Sequence, residues 1–395
     1  MSLPLEGLTD EQREIVELVR QFTNEQIIPV ASQLEHDDVF PDDIVEGLKE
    51  LGIFGFTIPE EHGGLGLDLT TYALSVCELA RGWMSISGII NTHFIVANML
   101  MRDGTDEQKE RFLPRMATGE IRCAFSMTEP ECGSDVQAIR TRAVRDGDDY
   151  VVNGQKMWVT NGLRSGLVAT LVKTDPEAKP AHRGMSCLLV EKEPGAAQSG
   201  GLTVPPQLEK LGFKGVETTE LVFADHRVPA ADLLGGAEGQ GFQQMMSGVE
   251  VGRVNVAARG VGVAQRAFEL AIRYAQEREA FGRPIAKHQG IQFKLAEMAT
   301  KIEAARLLML SAARKKDAGE RSDVEAGMAK LYASEICHEV VEDSFRIHGG
   351  YGYSKEYEIE RLMREAPFLL IGEGTSEIQK TIISRGLLKE YALKR

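Results

Sequence analysis

The spacing of hydrophobic positions changes twice along the chain, near residue 120 and near residue 235. Before the first change, apolar residues recur every three to four positions, the helical period. Ile15, Val16, Val19, Phe22 and Ile27 follow Thr9 and Gln12, which have capping-box spacing. Pro41-Asp42-Asp43 opens a second helix with Ile44, Val45, Leu48 and Leu51, closed by Gly52. A loop over 59–66 follows, then helices over 69–81 and 92–102. Thr105 and Gln108 repeat the capping box ahead of Phe112 and Met116. From Ile121 to about Asp232 the period is two, which predicts strands over 121–128, 138–145, 149–160, 166–174, 184–192 and 218–224. Asp146-Gly147 and Asn153-Gly154 mark turns, and no helix-length pattern intervenes. An antiparallel barrel or sandwich is therefore expected rather than a parallel sheet. After Gly235-Gly236 the helical period returns over 242–277, 289–316, 324–347 and 376–393, the pattern of a bundle. The expected fold class is α+β multidomain: an N-terminal α-helical domain (1–120), a middle antiparallel β-domain (121–235) and a C-terminal four-helix bundle (236–395).

Composition narrows the function classes. The 45 basic against 59 acidic residues give a net charge of −14, which disfavours nucleic acid and anionic membrane as partners. Five cysteines, widely spaced and without a CxxC, indicate free thiols rather than a zinc site or a disulfide scaffold. No metal site is expected. The N-terminus has neither a basic nor an apolar leader region, and no run of 18 apolar residues marks a membrane span. A cytoplasmic or mature organelle-matrix location is the expectation.

Five stretches carry candidate chemistry. In Gly372-Glu373-Gly374-Thr375-Ser376, Glu373 lies on a loop between two glycines, after the apolar run 367–371. Ser376 and Gln379 have capping-box spacing, so a helix should start at about Ser376. A buried carboxylate there would have the raised pKa of a general base; a solvated loop glutamate fits the same window. Residues 125–135, a strand running into a Pro/Gly turn with short hydroxyls, could bind a flat ring or a phosphate, or simply turn. Trp158 and Thr160 share one face of a strand end, facing a ligand or the core. Arg278 ends a long helix, where it could bind phosphate or complement the helix dipole. Gly349 and Gly350 follow another helix end, as a ligand approach or a glycine cap. There is no strand–GxGxxG–helix, and Gly260-Val261-Gly262 lies within a helical pattern, where small residues let helices pack closely.

In order and spacing along nearly the whole chain, these stretches resemble the acyl-CoA dehydrogenase family. The likeness rests on residues 59–64, Thr128-Glu129-Pro130 with Gly133-Ser134-Asp135, and 156–162. It continues through Leu221-Val222-Phe223, Val228-Pro229, 278–282, 349–353 and Glu373-Gly374-Thr375. The resemblance implies helices, a β-domain and a four-helix bundle, with FAD between the last two, usually in a homotetramer. It implies α,β-dehydrogenation of an acyl-CoA thioester, with Glu373 as the base, hydride transfer to flavin N5, and an electron-transfer flavoprotein as acceptor. The enolate oxygen would be met by the backbone N–H of the base and a ribityl hydroxyl. Implied FAD contacts are Phe125, Met127, Thr128, Ser134, Trp158, Thr160, Thr375 and Glu377. Arg278, Phe281 and Gln289 would reach the FAD of a neighbouring subunit, Gly349 and Gly350 match the adenine-side turn, and Arg346 would meet the FAD pyrophosphate or ribose. Ser134, Glu250, Arg253 and Gly374 are implied substrate contacts.

Some relatives carry the base on the first bundle helix, where this chain has Gly252 before Arg253. Arg346 replaces a common glutamine, and Gly372 replaces a common tyrosine. Loss of that ring should leave room near the thioester for a branched or bulkier acyl group. Rival readings are an acyl-CoA oxidase using O₂, a non-catalytic acyl-CoA or flavin-binding protein, and a hydrolase pairing Glu373 with Glu360 or Glu365.

Overall fold

The structure, a computed structural model, describes residues 7–393. Its first part is helical: α1 (Asp10–Phe22), α2 (Ile28–His36), α3 (Asp42–Glu50), α4 (Leu69–Gly82), α5 (Met84–Asp103) and α6 (Asp106–Ala117). A π-turn joins α1 to α2. Thr9 and Thr105 cap α1 and α6 with both hydrogen bonds of the box. The helix expected over 92–102 is only the second half of α5. Ser85 and Ser87 blur the apolar pattern upstream, but they are buried because Ser85 Oγ donates to Lys214 O and Ser87 Oγ to Met84 O. α5 is long and apolar enough to cross a membrane, yet it is a core helix enclosed by protein.

The middle part is a sheet of β1 (Cys123–Ser126), β2 (Arg142–Asp146), β3 (Asp149–Thr160), β4 (Leu167–Lys173), β5 (Met185–Glu191), β6 (Gln198–Ser199), β7 (Leu202–Thr203) and β8 (Thr218–Pro229). Their order is β1-β4-β2-β3-β8-β7-β6, with β5 added beside β4. Most pairs are antiparallel, but β1 runs parallel to β4 with Cys123 opposite Leu167, against the all-antiparallel expectation. Parallel neighbours need a long connection, and the chain between them, carrying the β2–β3 hairpin, supplies it. β8 continues to Pro229, past the expected end at 224; Asp225, at φ 50°, interrupts the alternation without ending the strand.

The last part contains α7 (Gly241–Glu277), α8 (Gln289–Asp317), α9 (Asp323–His348), α10 (Ile359–Ile371) and α11 (Ser376–Glu390). α7 touches α4, α5, α8, α9 and α10, so it is the axis of the molecule. Gly260 and Gly262 allow this: a Cβ at either would lie 2.7 Å from Ala333 O or 2.2 Å from Cys77 O. α10 was not expected as a helix, because Pro367 lies within it. Its buried Ile359, Leu362, Ala366 and Leu369, with the Arg361–Glu365 pair at 3.1 Å, hold it despite the missing N–H. The Glu373 loop therefore joins α10 to α11.

Candidate active site

Glu373 sits at φ 55°, in the left-handed region that a side chain disfavours. The surrounding bonds impose it. Gln379 Nε2 donates to the carbonyls of Glu373 (3.2 Å) and Gly374 (3.0 Å), and Lys330 Nζ to that of Gly374 (2.8 Å). Gly374, at φ 88°, completes the turn. The helix cap is Thr375, whose hydroxyl accepts from Ile378 N (3.3 Å), one residue before the expected position. Ser376 instead donates to Glu335 (2.6 Å), and Gln379 is left to brace the loop. Non-glycine backbone held off its preferred region marks functional positions.

The Glu373 carboxylate points inward. Asn91 Nδ2 on α5 donates to its Oε1 at 2.8 Å. A Cβ built on Gly252 of α7 would lie 2.6 Å from its Oε2. The alternative base position of the family thus faces the same point, and its lack of a side chain makes room for Glu373. Burial raises the Glu373 pKa above the ordinary carboxylate range; Arg259, the Asn91 bond, Arg253 and Lys330 oppose that rise. The Glu373 backbone N–H donates to no group among the described residues.

Nearby, Arg253 is buried with its Nε unpartnered, and Glu250, Glu373 and Asp323 act on its charge. Glu250 accepts from Ser322 Oγ at 2.9 Å and lies 3.3 Å from Lys316. The space expected from Gly372 is taken: Phe368 places its ring 2.7 Å from where a Cβ would be, and stacks on Phe213 with centroids 4.5 Å apart. The expectation of open room beside the thioester is corrected accordingly.

The strand-end residues form a second group. Phe125, Met127, Thr128 and Thr160 are half-buried, Ser134 is exposed, and Thr128 O accepts from Met157 N at 2.9 Å. A bulge between Lys156 and Val159 turns Trp158 outward at φ 61°, with 57% of its surface exposed. The loop between β1 and β2 is held by a buried pair: Lys156 Nζ donates to Glu129 Oε1 (2.8 Å), which also accepts from Thr141 N. Asn161 Nδ2 donates to Thr92 Oγ1 at 2.7 Å, and Thr92 Oγ1 donates to Cys123 O. Neighbouring residues of α5, Asn91 and Thr92, therefore tie Glu373 and the strand ends to one helix.

A third group is remote. Arg278 stacks on Tyr351 at 5.8 Å, Gln289 begins α8, and Phe281 is 96% exposed. Arg346 is engaged by Glu342 on its own helix, Gly349 caps α9 with Gly350 exposed behind it, and Glu377 lies exposed in the first turn of α11. No hydrogen bond or ion pair joins the third group to Glu373 among the described residues, though Glu377 and Glu373 both act on Lys330. Glu360 is bonded to Arg364 and His36, and Glu365 to Arg361, so neither is a second acid for Glu373.

Sequence reading missed Asn91, Arg259 and Lys330. A polar residue inside an otherwise buried helical run, such as Asn91 or Arg259, was the available signal. A hollow of about 400 Å³ on the sheet, lined by Arg140, Arg142, Val144, Val151, Asn153 and Gly154, touches none of the site.

Three family descriptions match in series: the acyl-CoA dehydrogenase N-terminal domain over 9–120, middle domain over 124–226 and C-terminal domain over 239–388. The (2S)-methylsuccinyl-CoA dehydrogenase of Cereibacter sphaeroides is 41% identical over 97% of this chain and 70% of its own length. An acyl-CoA dehydrogenase of Bacillus subtilis is 41% identical over 96% of this chain and 99% of its own. The butyryl-CoA dehydrogenase structure from Megasphaera elsdenii superposes with a TM-score of 0.91 at 35% identity, covering 98% of this chain and 100% of that one. With the helical, β and helical parts in the same order, the chain belongs to the acyl-CoA dehydrogenase family of flavoprotein oxidoreductases.

Proposed function

We propose that this protein is an FAD-dependent acyl-CoA dehydrogenase that converts an acyl-CoA thioester to the trans-2-enoyl-CoA, with Glu373 as the base. The observation that carries the reading is the Glu373 carboxylate, held inward by Asn91 at 2.8 Å on a backbone at φ 55°. FAD fits the residues present. Folding leaves the Trp158 face bare at the end of β3, beside half-buried Phe125, Met127 and Thr160, a surface suited to a flat ring. When bound, the flavin supplies the two-electron acceptor for the hydride leaving Cβ.

Glu373 takes the proton from Cα into its carboxylate. Its raised pKa brings the base closer to that weak carbon acid, and the neighbouring cations limit the rise. Its unengaged backbone N–H is available to the thioester oxygen, where negative charge develops. Arg253 and Glu250 are assigned to substrate contact, with Ser134 and Gly374. The exposed Phe281, with Arg278 and Gln289, is assigned to the FAD of a neighbouring subunit in a homotetramer; Arg346, Gly349 and Gly350 are assigned to FAD, the two glycines on its adenine side. An electron-transfer flavoprotein is the proposed acceptor. The relatives differ in acyl group, so the family alone does not set the substrate.

Anaerobic titration of the yellow holoenzyme with a panel of acyl-CoAs is the test. Bleaching of the flavin by at least one ester is expected. A flavin that stays oxidised throughout would leave a binding protein, a colourless protein would favour the hydrolase, and peroxide formation in air without added acceptor would favour the oxidase.

A further inference from the structure

We infer that Arg259 closes the far end of the acyl slot and that the slot takes a short acyl chain bearing a second carboxylate. The inference rests on the dehydrogenase reading above and adds a substrate class to it.

The slot so inferred lies between α5 and α7, the two helices whose residues face the Glu373 carboxyl. At one end are Asn91, on α5, and Gly252, on α7, both against the Glu373 carboxyl. Arg259 lies seven residues beyond Gly252, two helical turns, and so on the same face. Its side chain reaches back: Nε donates to Asn255 Oδ1 at 2.7 Å, one turn nearer to Gly252. Its Nη2 donates to Ser87 O at 3.4 Å, and Ser87 lies one turn before Asn91 on α5. Base and guanidinium therefore face the same groove, offset by about one turn, roughly 5 Å.

Arg259 is only 2% exposed. Its hydrogen bonds go to an amide oxygen and a carbonyl, and it forms no salt bridge among the described residues. Arg361 and Lys156 have carboxylate partners, Glu358 at 2.7 Å and Glu129 at 2.8 Å. Buried Arg253, Lys192 and Lys330 form no salt bridge among the described residues either, but at least two carboxylates act on each of them. Nη1 of Arg259 makes no hydrogen bond among the described residues. Burial brings its pKa down to about 10, and the one carboxylate that acts on it is Glu373. Arg259 is the foremost of the three cations acting on Glu373, and Glu373 is the one carboxylate acting on it, so the guanidinium loses that countercharge when Glu373 takes a proton.

An arriving carboxylate would complete this pair, and guanidinium presents the two-pronged geometry that carboxylates take. An offset of about one helical turn between base and guanidinium leaves space for only a short chain past Cα, which selects short acyl groups ending in carboxylate.

The test uses the holoenzyme and a matched pair, glutaryl-CoA against pentanoyl-CoA, in anaerobic flavin reduction and steady-state turnover. Equilibrium binding of glutaconyl-CoA and pent-2-enoyl-CoA to the oxidised enzyme gives a readout independent of turnover. Wild type should favour the acid of each pair by about 10-fold or more. Arg259→Gln should lose that preference, while Arg259→Lys keeps part of it; flavin content and Tm report whether each variant is folded. Wild type favouring the neutral esters overturns the inference without any variant, and equal loss on both esters in Arg259→Gln overturns it too, leaving Arg259 as a counter-charge for Glu373. If neither ester bleaches the flavin, while other acyl-CoAs do, only this inference falls; if no acyl-CoA does, the dehydrogenase reading falls with it.

Discussion

Replacing Gly252 with alanine should displace the proposed base, Glu373, without mutating it. The new Cβ would lie 2.6 Å from Glu373 Oε2, 3.2 Å from its carboxyl carbon and 3.0 Å from Ile95 Cδ1, where ordinary contact begins at 3.4 Å. Ile95 can swing its terminal methyl. The carboxylate has less freedom, because Asn91 holds its other oxygen and the loop backbone is braced by Gln379 and Lys330. It must retreat by about 0.8 Å, and misplacement on the order of 1 Å costs about 100-fold in rate. The expected loss is about 30- to 100-fold in flavin reduction at saturating acyl-CoA, or about 2–3 kcal/mol in barrier.

Stability should move the other way. Gly252 lies in the interior of α7, where alanine is favoured over glycine by about 1 kcal/mol. Gly252→Ala should therefore melt no lower than wild type and keep its flavin. Gly248→Ala is the control: one turn earlier on α7, its Cβ would crowd Ile95 and Met99 but not Glu373, so its rate should stay near wild type. Stopped-flow absorbance of the flavin, with Tm and flavin content, is the assay. A Gly252→Ala enzyme reducing its flavin within about threefold of wild type would refute the placement of the carboxylate.

Glu373→Gln should bind acyl-CoA, seen as a perturbed flavin spectrum, yet reduce flavin about 10³- to 10⁴-fold more slowly. Because the ionised form accepts the proton, kcat/KM should rise with pH through a midpoint above 4.5, and Asn91→Ala should move it further up by removing a bond that lowers the Glu373 pKa. Lys156→Met leaves Glu129 buried without its cation; a Tm loss corresponding to about 3–5 kcal/mol is expected, with reduced flavin content. Burial raises the Glu365 pKa to about 7, so the fold binds this proton more tightly than the unfolded chain does. That contribution is present below pH 4.5 and is lost as pH rises to about 7, so wild-type Tm should fall relative to Glu365→Gln across this window.

Periodicity was a good guide wherever one face of an element meets one environment. The helix and strand runs of the three parts read correctly because burial there follows the period of the backbone. It failed where burial is complete or where the backbone departs from its period. The first half of α5 is enclosed on all sides, so its serines and Asn91 no longer signal a face. α10 was hidden by Pro367, and the Trp158 bulge by the apolar run Met157-Trp158-Val159, which fits a regular strand as well as a bulged one. Glu373 was legible because glycines flank it and a helix follows. Its partners were not, since Asn91 lies 282 positions away and Gly252 contributes only by lacking a side chain.

The charges around Glu373 bear on the proposed step as much as on the resting state. Arg259, Arg253 and Lys330 all favour its ionised form, yet its pKa is still raised, so desolvation outweighs three cations. Substrate entry removes more water and pushes in the same direction. Once the Cα proton reaches Glu373, the carboxylate charge that these cations faced is gone, while negative charge grows on the thioester side. A positive field built into α7, α9 and the loop is then already in place for that charge and needs no reorganisation at the moment of transfer. The two cations nearer the loop differ from Arg259 here, because Glu250 and Asp323 act on Arg253, and Glu335 and Glu377 on Lys330. Arg259 has only Glu373 and Tyr72, so of the three it loses most when Glu373 is neutralised. A second carboxylate on the acyl chain would hold that guanidinium in balance throughout the step.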